Sequence, residues 1–80
     1  MTLPVGVWYT SRSVFANLRA GEWQLLGTHQ KWCIWTKPDQ TPLIFEIEKR
    51  NGTLAVHISY VRKLAQLIGK PLDDFEPLHD

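Results

Sequence analysis

The sequence predicts a small α+β domain, ordered as a helix, a three- to four-stranded antiparallel sheet and a second helix. Three observations carry this. Apolar residues recur at helical spacing near both ends, the middle alternates with period two, and Asn51-Gly52 marks a tight reversal within the alternating region. A chain of 80 residues has room for only one core, so residues 1–80 are expected to form a single domain.

Residues 1–10 hold Pro4, Gly6 and the apolar group Val7, Trp8 and Tyr9, and read as an extended arm. A first helix fits residues 12–20. Ser11 or Ser13 can cap it, Val14, Phe15 and Leu18 share one face, and Gly21 suits its end. Residues 22–26 read as a strand running into Gly27. Residues 30–36 read as another, with Trp32 and Ile34 on one face and Cys33 and Trp35 on the other. Lys37-Pro38-Asp39-Gln40-Thr41-Pro42 is turn chemistry.

Residues 43–48 place Leu43, Phe45 and Ile47 on one face, opposite Glu46 and Glu48. After Asn51-Gly52, where both positions tolerate a left-handed backbone, residues 53–58 return. That strand turns Leu54, Val56 and Ile58 inward and Ala55 and His57 outward, and pairs with 43–48. The second helix fits residues 60–68, with Ser59 as its cap, Val61, Leu64, Ala65 and Ile68 as its apolar stripe, and Gly69 as its stop. Residues 71–80 form an acidic tail in which Leu72 and Phe75 pack back.

Composition narrows the function. With 44% hydrophobic and 21% charged residues the chain reads as an ordinary globular protein. No apolar run approaches the roughly 20 residues that span a bilayer, so a membrane role is not expected. The start lacks a basic n-region and is broken by Pro4 and Gly6, so no secretory leader is expected either. A single cysteine, Cys33, cannot close an internal disulfide; it suits a reducing compartment, and cytoplasm is the expected location. The net charge of +1 hides an asymmetry. Residues 1–70 carry nine bases against four acids, and the tail adds Asp73, Asp74, Glu76 and Asp80 with no base. That excess permits a polyanionic partner without requiring one.

Three histidines are present: His29, His57 and His79. No Cys/His pair has zinc spacing, and no phosphate loop or dinucleotide fingerprint occurs, so neither metal nor cofactor is expected. What remains is Gly27-Thr28-His29, placed as a turn between two strands. Glycine lets a phosphate approach the backbone, and an exposed imidazole can move protons in phosphodiester cleavage. By period-two counting Lys31 and Lys37 share the face of His29 and could hold the phosphate. Trp23, Trp32, Phe45 and Tyr60 read as core aromatics, and Cys33 as a small apolar filler.

The order helix, strand, Gly-Thr-His, strands, hairpin and helix resembles the HicA family of bacterial toxin–antitoxin toxins. The residues that carry the likeness are Gly27-Thr28-His29-Gln30-Lys31-Trp32, with an aromatic three positions after the histidine, and the closing helix through Gly69 followed by Asp73-Asp74-Phe75. The resemblance implies a double-stranded-RNA-binding-like fold and metal-independent endoribonuclease activity on single-stranded RNA or mRNA. It makes His29 catalytic, with Gly27, Thr28, Lys31, Lys37, Arg62 and Lys63 binding substrate and a cognate antitoxin as partner.

Two other readings use the same residues. In the first, the fold is a protein-interaction module docking through exposed Trp8 and Trp35. In the second, 62–69 opens a helix-turn-helix, but Lys70–Asp80 leaves too little chain, with too many acids, for a recognition helix. Direct DNA binding is therefore not expected.

Overall fold

The structure, a computed structural model, describes residues 8–78. His79 and most of the expected N-terminal arm lie outside the described residues. The elements are β1 (Trp8–Thr10), α1 (Ser11–Ala20), β2 (Gln24–His29), β3 (Trp32–Thr36), β4 (Leu43–Glu46), β5 (Glu48–Arg50), β6 (Thr53–His57) and α2 (Ile58–Ile68). A short 3₁₀ turn, Leu72–Asp74, follows. The α+β class holds. The strands form two three-stranded antiparallel sheets, ordered β2-β3-β4 and β1-β6-β5.

α1 starts one residue before the expected 12–20 because its cap is Thr10, whose hydroxyl accepts from the Ser13 N–H at 3.3 Å. Ser13 is the third helical residue, where a free N–H needs a partner. Val14 and Leu18 are fully buried, and Phe15 packs on the Trp35 ring at 5.0 Å. At the other end Gly21 is not the left-handed residue. Glu22 is, with φ 69, and the Trp23 N–H then bonds back to the Leu18 carbonyl at 3.0 Å.

The stretch expected as one strand over 43–48 is divided. Leu43–Glu46 pairs with β3, setting Phe45 beside Cys33, whereas Glu48–Arg50 pairs with Thr53–Ala55. Ile47 is the crossing point, its N–H bonded to the Lys31 carbonyl at 2.6 Å. The expected pairing of 43–48 with 53–58 therefore survives only beside the turn. Phe45 is 1% exposed, and β3 is the strand that lines it up with the buried Cys33 and Trp35. The turn itself is as expected, with Asn51 at φ 51 and Gly52 at φ 80.

β6 departs from its expected burial. Val56 is buried, but Leu54, at the hairpin end, is 53% exposed, and Ala55 is fully buried although it was expected outside. Ile58 is the first residue of α2 rather than the last of the strand. In α2, Val61, Leu64 and Ala65 are buried, and Gly69 ends the helix in the left-handed region at φ 70.

The acidic segment does not hang free. The Asn17 amide donates to the Asp74 carbonyl at 3.0 Å, Phe75 is buried, and the Thr10 N–H donates to the Glu76 carbonyl at 2.9 Å. Through Leu78, residues 71–78 strap α1 to the outer edge of β1.

Candidate functional site

In antiparallel pairs, directly opposed residues share a face. Cys33, Trp35 and Phe45 are buried, so they mark the inner face of the β2-β3-β4 sheet. The intervening positions point outward in two rows: Gly27, Ile34 and Ile44, then His29, Trp32 and Glu46. Among the described residues neither helix packs extensively on these three strands, although Tyr60 of the second helix reaches Glu46. Trp32 is 36% and Ile44 57% exposed there, so Trp32 is not the core aromatic it was expected to be. Leu26, 69% exposed, sits at a bulge between Leu25 and Gly27.

Gly27-Thr28-His29 is not a turn. All three belong to β2, which is paired to β3 through His29↔Trp32, and the reversal falls on Gln30 and Lys31. Gln30 takes φ 55 without being glycine or asparagine, so no turn signal marks it. The cue that was available is a glycine inside a strand pattern, which often accompanies a bulge. Nothing lies within 4 Å of where a Gly27 side chain would begin, so its backbone is open to a ligand.

His29 is exposed at the end of β2, cross-strand from Trp32. Lys31 follows in the turn, its Nζ 3.1 Å from Glu46 Oε2. Tyr60, at the start of α2, donates to the other Glu46 oxygen at 3.4 Å. Burial first, then the Glu46 charge, pushes the Tyr60 phenol above its ordinary range. A surface ion pair of the Lys31–Glu46 kind contributes only about 0–1 kcal/mol, so a phosphate could compete for Lys31 at little cost.

The other expected cations do not join this group. Lys37 follows the far end of β3, about 17 Å along the strand from the His29 row at roughly 3.3 Å per residue. There its Nζ donates to the Gly21 carbonyl at 2.9 Å, closing the end of α1. Arg62 and Lys63 are exposed on α2, which packs against the β1-β6-β5 sheet rather than over the His29 face. Of the four bases expected around His29, Lys31 alone adjoins it. Period-two counting failed because it ran through a turn, where alternation resets.

Trp35 is fully buried, which removes it from any docking surface. Trp8 is half-buried, edge-on to His57 at 5.0 Å with the Arg50 guanidinium over its face at 4.6 Å. His57 has a role that sequence reasoning missed: it caps α2, its Nδ1 accepting from the Ser59 N–H at 3.1 Å. Ser59, the expected cap, lies inside the helix. Burial pushes the Cys33 thiol from an ordinary 9.0 up to about 11, as suits an inert filler. Among the described residues no three His, Cys, Asp or Glu side chains gather as metal ligands, and no helix is long and apolar enough to cross a membrane.

The chain matches no protein-family model, no curated protein and no solved structure.

Proposed function

We propose that this domain is a HicA-like, RNA-directed toxin that cleaves single-stranded RNA or mRNA in the cytoplasm, without a metal, and is held in check by a cognate antitoxin. One observation carries the reading: His29 is exposed on the outward sheet face, directly opposite a half-exposed Trp32 and beside Lys31. The antiparallel α+β architecture and the open backbone at Gly27 support it further.

In this mechanism a base stacks on Trp32 and Lys31 leaves Glu46 for the phosphate. His29 removes the proton from the ribose 2′-OH, whose oxygen attacks the adjacent phosphorus. The P–O5′ bond breaks, a 2′,3′-cyclic phosphate forms, and the departing 5′-oxygen takes a proton from water or from the imidazolium. Thr28, on the opposite face of β2, lies outside this arrangement. Positioned proton transfer contributes about 10²–10⁴-fold to rate.

Incubation of the purified chain with single-stranded RNA, with gel analysis of cleavage, tests the proposal. His29→Ala should remove cleavage while changing stability by less than roughly 1 kcal/mol, because the side chain is exposed. RNA binding should persist in that variant at low salt, since phosphate contacts dominate affinity. Absence of both cleavage and binding in the wild type would refute the proposal.

A second reading has its own support. Trp32 and Ile44 are exposed apolar residues on the same outward sheet face, of the sort that docks proteins. It predicts that Ile44→Asp abolishes capture of a specific protein and that His29→Ala does not.

A further inference from the structure

His57 stands where three elements meet. It ends β6, caps α2, and lies directly across from Trp8 of β1. Its Nδ1 is 3.1 Å from the Ser59 backbone nitrogen and 2.9 Å from the Ser59 hydroxyl oxygen. A backbone N–H can only donate, so Nδ1 must present a free lone pair and the ring proton must sit on Nε2. The cap thus requires neutral imidazole in a single tautomer.

Ser, Thr and Asn caps accept at any pH near neutrality. Imidazole does not: it can take up a proton near neutrality, and on Nδ1 that proton removes the acceptor. The resulting cation would also sit at a helix N-terminus, which the dipole opposes, and the first turn of α2 holds no acidic residue to offset it.

The surroundings offer the imidazolium another place. His57 lines a cavity of about 210 Å³ with Trp8, Glu46, Glu48, Ser59 and Tyr60. Glu46 is bonded to Lys31 and Tyr60, and Glu48 to Arg50 at 3.6 Å. Tyr60 enters from α2 and Arg50 from β5, over the Trp8 ring. Both carboxylates can attract the cation, and a protonated Nδ1 can donate to the Ser59 hydroxyl oxygen, but it can no longer accept from the Ser59 N–H.

We infer that His57 is an acid-released latch. Neutral, it pins the first turn of α2 to the end of β6 and packs edge-on against Trp8. Protonated, it gives up the Ser59 N–H for the carboxylate side of the cavity, and the start of α2 and β1 loosen together. The latch does not depend on the RNA reading, because His29 takes no part in it.

Thermal unfolding of the full chain from pH 8 to 5, for the wild type, His57→Asn and His57→Ala, tests this. Asparagine caps without titrating, and every other residue is common to the three proteins, so differences between them isolate His57. Relative to His57→Asn, the wild type should lose about 4–8 °C in Tm between pH 8 and 5, the effect of one ordinary cap in a domain this small. His57→Ala should lie below the wild type at pH 8 and converge on it at pH 5. A wild-type-minus-Asn difference that is constant or grows toward pH 5 overturns the latch. Should the variants fail to fold, the wild type still decides by NMR: the Ser59 amide must shift and lose exchange protection as the His57 ring titrates, and an unresponsive amide overturns the proposal.

Discussion

β2 and β3 are two arms of one hairpin, yet they do opposite jobs. β3 sends Cys33 and Trp35 into the core, where both are fully buried. In β2 no residue is fully buried; Gly27 is half-buried and the other five are exposed. β2 is also an edge strand, bonded to β3 and, among the described strands, to no other. Stability therefore resides on one arm, held by packing, while the other arm is held by its backbone ladder. A strand that contributes little to the core can carry His29 on the surface without its side chains being constrained by packing.

The largest effect should come from β3. Trp35→Ala removes an indole that touches Phe15 and lies beneath the Arg19 guanidinium, and should cost about 3–5 kcal/mol in urea unfolding. Against a total of about 5–15 kcal/mol this leaves the domain barely folded. A loss below roughly 1 kcal/mol would break the comparison, because the inner row of β3 would then not be the anchor.

Alkaline titration sharpens the same point. The Cys33 thiol is raised in the folded chain, so the folded state holds its proton more tightly than the unfolded state does. Its contribution is complete below the unfolded value near 9.0 and declines as pH rises toward about 11. Wild-type stability should fall over that window. Cys33→Ala should fall less steeply, the remainder coming in part from Tyr60, which is raised in the same sense.

A smaller, opposite effect is expected where the chain leaves α1 for β2. Glu22 holds φ 69, a conformation that glycine adopts without penalty. Glu22→Gly should stabilise by up to about 1 kcal/mol, read from the shift in the urea midpoint. A destabilisation would mean that the Glu22 side chain makes a contact outweighing its backbone strain.

Smallest of all should be changes within β2. Leu26→Ser and Gly27→Ala should each stay within about 0.5 kcal/mol, since Leu26 is 69% exposed and a Gly27 methyl would meet open space. If the RNA reading is right, Gly27→Ala should nonetheless weaken cleavage by narrowing the approach to the backbone. Amide exchange should separate the arms directly, with the solvent-facing amides of β2 exchanging well before those of β3.

Features governed by neighbouring residues were legible in the amino-acid order alone. Both helices, the alternation of β3, the Asn51-Gly52 reversal and the stop at Gly69 depend on spacing or on one residue's backbone freedom, so the sequence by itself determined them. Cys33 as a buried filler and Phe75 packing back followed from side-chain chemistry in the same way. His29 as an exposed histidine was legible too, although the turn beside it was misplaced by two residues, since Gln30 and Lys31 carry no turn signal and are held there by the register that buries Cys33 and Trp35.

Only the tertiary structure decided the rest. The division of residues 43–50 between two sheets at Ile47 depends on which partner can line up Phe45 with the buried residues of β3, a contact between residues about a dozen positions apart. The same kind of distant constraint took Lys37 to the Gly21 carbonyl, put Arg62 and Lys63 beside the other sheet, and made His57 a helix cap by starting α2 at Ile58. Local pattern specifies which face a residue prefers, but competition for a single small core decides which strands meet and which side chains come together.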